Sequence, residues 1–184
     1  HSNYSAVYNN WGNSLTELAE LKGDERLLKE SFEKYEKAVH LDPNSYNTYN
    51  SWGSALTNLF KLTNNKRLFD EAEEKFKKAI ELAPKFSSSY FNWGNLLAAF
   101  ARSNDNEQML YESIRKYGEA IQLSPKEDIY YTNWGVALSE LASRKKDLSL
   151  FNESIDKYKK ATQLNKMDGL TYSNWASALI GAYH

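Results

Sequence analysis

Five tryptophans stand 41 residues apart, at Trp11, Trp52, Trp93, Trp134 and Trp175, and they are all the Trp in the chain. A fixed period of this length marks a solenoid, in which each unit buries its apolar face against the next. Pro43, Pro84 and Pro125 keep the same spacing, with Lys166 in the fourth slot. Gly12, Gly53, Gly94 and Gly135 directly follow a lattice Trp, and Ala176 takes the fifth place. Such arrays present long surfaces to other molecules and seldom build catalytic centres.

Within the first unit, Tyr8, Trp11, Gly12, Leu15, Leu18 and Ala19 fall on one face of an α-helix. The same columns read Tyr49, Trp52, Gly53, Leu56, Leu59 and Phe60 in the second unit. Glycine inside a helix costs about 1 kcal/mol relative to alanine, so its recurrence predicts close passage of another helix backbone. Ala176 implies that a methyl group is tolerated there. A second helix begins after Asp24, Asn65, Asn106 or Asp147, all good N-cap residues. It carries Leu27, Leu28, Ser31, Tyr35, Ala38 and Val39 at helical spacing. The i,i+4 pairs Glu30/Lys34, Glu71/Lys75, Glu112/Lys116 and Glu153/Lys157 read as a solvated face. The pattern predicts helix A1 near 5–22 and helix B1 near 25–40. The pair repeats three more times and a fifth A helix spans about 169–183. The Trp column is expected to be largely buried.

These columns resemble the tetratricopeptide repeat, whose pattern is W-x2-L-G-x2-Y, then A-x3-F, then P. Here they read Tyr8-x2-Trp11-Gly12-x2-Leu15, Ser31-x3-Tyr35, Ala38 and Pro43. The second unit gives Tyr49, Trp52, Gly53, Leu56, Ala72, Phe76, Ala79 and Pro84. The family repeat has about 34 residues. The seven or so extra residues lie around the A–B turn, roughly one turn of helix for each partner. Leu18, Leu27, Leu28 and their equivalents are expected to supply the added core. The resemblance implies an all-α, right-handed superhelical solenoid of stacked antiparallel helix pairs, with about nine helices. It would form one domain over 1–184, with repeats at 5–45, 46–86, 87–127 and 128–168 and a half repeat at 169–184.

The face of each A helix opposite the Trp stripe is low in charge. Its columns read Ala6, Asn9, Asn10, Asn13, Thr16 and Glu17 in the first unit, and Asn47, Asn50, Ser51, Ser54, Thr57 and Asn58 in the second. Across all five units they hold no Lys or Arg and only two acids, Glu17 and Glu140. By resemblance these positions line a concave groove for extended peptides. Asn10, Ser51, Asn92, Asn133 and Asn174 are similar to an asparagine ladder that clamps a peptide main chain, since a primary amide both donates and accepts. Asn9, Asn13, Asn50, Ser54 and Asn95 complete the candidate peptide-binding set. The alternative is that these amides bond neighbouring helices. The family's carboxylate clamp for chaperone C-termini needs Lys and Arg in the groove, and these columns have none.

Charge and composition narrow the partner. With 24 acidic against 23 basic residues, the formal charge of −1 disfavours nucleic acid and anionic membranes. A chain with no Cys has no disulfide or thiolate metal site and fits a cytoplasmic setting or an organelle interior. No apolar run approaches a membrane span, and no signal-peptide pattern is present. His1, His40 and His184 lack metal-ligand spacing. No phosphate loop, carboxylate pair or nucleophile–base pattern appears, so neither a cofactor nor an enzymatic activity is expected. Asn3-Tyr4-Ser5 and Asn152-Glu153-Ser154 match the glycosylation sequon, which recurs by chance. The expected partner is a protein or peptide that lays an extended, uncharged or mildly basic segment in the groove. The chain starts at His1 without Met and ends on an uncharged A helix, Tyr172 to Ile180. A longer native protein and end-to-end association, as a scaffold without a groove ligand, are the rival expectation.

Overall fold

The computed structural model describes residues 2–183, and side chains from Tyr4 onward; His1 and His184, and the Asn3 sequon side chain, lie outside that description. The described residues form nine helices: α1 (Ser2–Lys22), α2 (Glu25–Leu41), α3 (Tyr46–Thr63), α4 (Lys66–Leu82), α5 (Ser87–Asn104), α6 (Glu107–Leu123), α7 (Asp128–Lys145), α8 (Leu148–Leu164) and α9 (Gly169–Tyr183). Odd-numbered helices are the A helices and even-numbered ones the B helices. The A helix α3 has 18 residues and the B helix α4 has 17, so the added length is shared between the partners as the spacing predicts.

Each A helix turns into its B helix through two residues. The first is left-handed, at Gly23 (φ 63°), Asn64 (49°), Asp105 (49°) and Lys146 (52°). The second is the N-cap: Asp24, Asn65, Asn106 and Asp147 each accept a backbone N–H of the following turn. The return from B to A runs through an extended C-cap residue and, in three units, a proline that cannot continue the helix.

Each A helix packs on its own B helix and on the next A helix, and each B helix packs on the next A helix. Among the described residues the backbones of the B helices do not come close to one another. The A helices therefore form the inner layer and the B helices splay apart on the outside. Leu56, Phe60, Phe76, Leu96, Leu110 and Leu141 are buried between the layers. In the added turns Leu28, Leu59 and Leu141 are buried, whereas Leu18, on the end helix α1, is exposed.

The glycine column answers to a ring, not to a backbone. A Cβ at Gly12, Gly53, Gly94 or Gly135 would fall 2.6–2.7 Å from a ring carbon of Tyr35, Phe76, Tyr117 or Tyr158 on the paired B helix. Ala176 is exposed, and no B helix follows α9 among the described residues, so its methyl group meets no such ring. It does not show that the interior column tolerates alanine.

The tryptophans are less buried than the pattern suggests. Trp11 is 50% exposed, and the other four are half-buried. Each ring lies at the seam between an A helix and its B helix, where one face would meet water. Lysine covers that face. The Nζ atoms of Lys34, Lys75, Lys116 and Lys157 sit 4.0–4.5 Å from the ring centroids of Trp11, Trp52, Trp93 and Trp134. These are the lysines of the repeated Glu/Lys pairs. Two of them, Lys34 and Lys116, retain only 8% and 6% exposure, so the solvated-face reading fails for this column. The expected partners Glu30 and Glu153 do lie near Lys34 and Lys157, at 3.7 and 3.3 Å, while Lys116 bonds Glu119 at 2.9 Å.

Candidate functional site

The inner face of the A layer carries the amides picked out by the sequence. Asn13, Asn50, Ser51, Ser54, Asn92, Asn95, Asn133 and Asn174 are half-buried, as is Asn9, and Asn10 is exposed. Four of them join across repeats. Asn92 Nδ2 donates to Asn50 Oδ1 at 3.1 Å, and Asn133 Nδ2 donates to Asn95 Oδ1 at 2.8 Å. These bonds tie α5 to α3 and α7 to α5, so the helix-bonding alternative also has substance. Ser54 Oγ turns back to the Asn50 carbonyl at 3.1 Å. Asn9 Nδ2 reaches Asn10 Oδ1 at 3.5 Å, while Asn9 Oδ1 is buried without a hydrogen-bond partner among the described residues. Asn174 lines a neighbouring hollow with Ser139, Glu140 and Ser177.

The B helices reach the same face from below. The Tyr35 hydroxyl donates to Asn13 Oδ1 at 3.0 Å and lies 3.1 Å from the Thr16 hydroxyl. Tyr117 donates to Asn95 Oδ1 at 2.8 Å, and the Tyr158 hydroxyl lies 3.4 Å from Ser139. In the second unit the ring is Phe76, which has no hydroxyl, and the position above it is Ser54 instead of Asn. Burial pushes the Tyr35 phenol up to about 12 and raises Tyr117 and Tyr158 as well, so all three remain protonated donors at neutral pH.

One column was missed. The neutral stretch ends at Glu17, Asn58 and Ala99, and the next inward position, one turn on, holds Glu20, Lys61 and Arg102. The sequence signal was available: these residues sit at i+3 from the last column read. The longer A helix carries Lys61 and Arg102 onto the inner face, so the groove is not free of cations. Lys61, Asn95, Ala98, Arg102, Tyr117, Asn133 and Val136 line a cavity of about 200 Å³. Arg102 Nε donates to Glu140 at 2.7 Å, Arg144 holds the same carboxylate at 2.9 Å, and Arg144 also pairs with Asp105 at 3.0 Å. Glu20 accepts from Asn58 Nδ2. Lys61 is exposed overall and lines this concavity. Desolvation there lowers its pKa, and the like charge of Arg102 adds to that, with Glu20 opposing.

Among the described residues no cluster of His, Asp or Glu has metal-binding geometry, and no helix is long and apolar enough to cross a membrane. The profile of the FAT domain family matches residues 2–133. A search of curated protein sequences finds no significant match. Among solved structures, the MamA protein superposes with a TM-score of 0.65 at 19% identity, covering 98% of this chain and 84% of its own. PilF of Pseudomonas aeruginosa gives 0.66 at 18%, covering 97% and 73%. YrrB, described as a TPR protein with an unusual peptide-binding site, gives 0.58 at 16%, covering 94% and 75%. At these identities the likeness is one of fold, and the fold is the tetratricopeptide-type solenoid.

Proposed function

We propose, from the premise that the chain belongs to the FAT domain family and folds as a tetratricopeptide-type solenoid, that it is a non-catalytic interaction module. It holds an extended segment of a partner protein along the inner face of α1, α3, α5, α7 and α9. The observation that carries this reading is the state of Asn92 and Asn133. Each spends one N–H on a neighbouring helix, at 3.1 and 2.8 Å, which fixes its orientation. Each keeps its carbonyl oxygen and its other N–H for a ligand, so a peptide unit of any sequence finds one acceptor and one donor per repeat. YrrB is described with a peptide-binding site, and the same use is proposed for the groove here. A near-neutral chain favours protein over nucleic acid as partner.

The test is a library of ten-residue peptides, blocked at both ends, screened against the fluorescently labelled chain. Asn92→Ala with Asn133→Ala should weaken the selected binders by roughly 1–3 kcal/mol. Wild-type affinity in that double variant would remove the ladder as the site.

A second reading, self-association as a scaffold, rests on the chain ends. Leu170, Ile180 and Tyr183 on α9 and Tyr4 and Val7 on α1 are exposed. A concentration-independent monomer mass from light scattering would dispose of this reading.

A further inference from the structure

We infer that the cavity between α5 and α7 is a carboxylate pocket, which receives the side chain of an aspartate or glutamate in the bound peptide. It rests on the groove reading above and adds a side-chain requirement to it.

Among the polar groups that line the cavity, Lys61, Arg102 and Asn95 leave unspent donors, and two of these groups are cationic; the Asn133 carbonyl oxygen is the acceptor assigned above to the peptide main chain. Asn95 Oδ1 already accepts from Asn133 Nδ2 at 2.8 Å and from the Tyr117 hydroxyl at 2.8 Å. That double acceptance orients the Asn95 amide and leaves its NH2 group without a protein acceptor. Tyr117 has given its proton to the same oxygen. Arg102 commits its Nε to Glu140 and keeps both terminal nitrogens. Lys61 makes no ion pair among the described residues. Three donor groups from α3 and α5 therefore meet in one hollow: an ammonium, a guanidinium edge and a primary amide. A carboxylate, with two oxygens and no proton, satisfies such a set, and a charge-assisted hydrogen bond is roughly twice as strong as a neutral one.

The surrounding charges do not cancel this. Glu140 is held by both Arg102 and Arg144, Asp105 is taken by Arg144, and Glu20 is engaged by Asn58. Lys61 is the cation left without an ion pair among the described residues, and desolvation in the hollow lowers its pKa, with Glu20 opposing and Arg102 adding a smaller push. Size sets the ligand. At about 200 Å³ the hollow is smaller than the roughly 300–1,000 Å³ of ordinary small-molecule sites. It suits one side chain, with Ala98 and Val136 as walls for its methylene groups. A groove position, flanked by the Asn92 and Asn133 amides, requires the main chain to run on past it, so the carboxylate comes from within a peptide and not from its terminus.

Two measurements test this. In the blocked-peptide library, selected binders should carry Asp or Glu at one register position. Exchange of that residue for Asn or Gln should cost about tenfold or more in affinity, and so should Lys61→Ala with Arg102→Ala; both positions are exposed, and unchanged far-UV circular dichroism verifies the fold. Binders without an acidic residue, or binders indifferent to the double variant, would overturn the pocket and leave the groove reading standing. The second measurement needs no groove binder. N-acetyl-glutamate amide, titrated by NMR, should shift the Asn95 and Asn133 side-chain amides in wild type but not in the double variant. If the library yields nothing while these shifts appear, the pocket holds and the groove reading fails. No shift with the glutamate derivative overturns the pocket. A shift with free-carboxylate N-acetyl-alanine alone assigns the site to a chain terminus and overturns the side-chain assignment.

Discussion

Gly94 has no room for a side chain. Its Cβ would stand 2.6 Å from Tyr117 Cε1, inside van der Waals contact with a ring that is itself buried. Gly94→Ala should therefore destabilise the fold by about 1–3 kcal/mol through overpacking, measured by urea unfolding, although alanine is the better helix former. Ala176→Gly at the fifth position should bring no compensating relief in this chain, because among the described residues no B-helix ring faces it. The lysine column makes a second residue-scale test. In a double-mutant cycle between Lys116→Gln and Trp93→Leu, the coupling should be about 0.5–2 kcal/mol, as for a desolvated cation over an indole. A coupling of zero would reduce Lys116 to a packing role. Sequence spacing revealed the Trp and Gly columns in full. It could not reveal their neighbours, because a Glu–Lys pair on a helix looks the same whether the ammonium faces water or Trp93. Only the position of the paired helix decides that.

Helix boundaries were readable where local chemistry sets them. The Asp24, Asn65, Asn106 and Asp147 column caps four B helices as expected, since the cap needs nothing beyond its own turn. The left-handed residue just before each cap is not legible in the sequence, because glycine occupies that place only at Gly23. Asn64 and Asp105 tolerate positive φ better than most residues, and Lys146 at φ 52° does not. Lys146→Gly should raise stability by about 0.5–1 kcal/mol in thermal or urea unfolding, whereas Gly23→Ala should lower it by a similar amount. The groove shows the same divide between local and tertiary information. Asn92 and Asn133 were found from one helix face. Lys61 and Arg102 stand on the added turn, which has no counterpart in the shorter family repeat, so the resemblance does not point to them.

At the level of the whole array, the ends behave differently from the middle. α9 rests on α8 through Ala178, which is 2% exposed against Ile155 and Tyr158, and through Gly181 against Phe151. A charge at Ala178 would break this seat and should melt α9. Ile180, 61% exposed, is the site that tests association alone. If the ends pair, Ile180→Glu should shift the sedimentation distribution toward monomer without changing helicity. A final consequence follows from the splayed B helices. Successive pairs are joined by each A helix, and still more by each B helix, against the next A helix, and among the described residues no two B helices bring their backbones close on the outer side. Such an assembly is a coil spring whose inner edge is the hinge line. Small rotations between neighbours, each costing little, add up over the array to a change in curvature and in groove width. A peptide laid along that inner edge would act as a strut, and its mechanical effect would reach every repeat it spans, including those whose side chains it never touches.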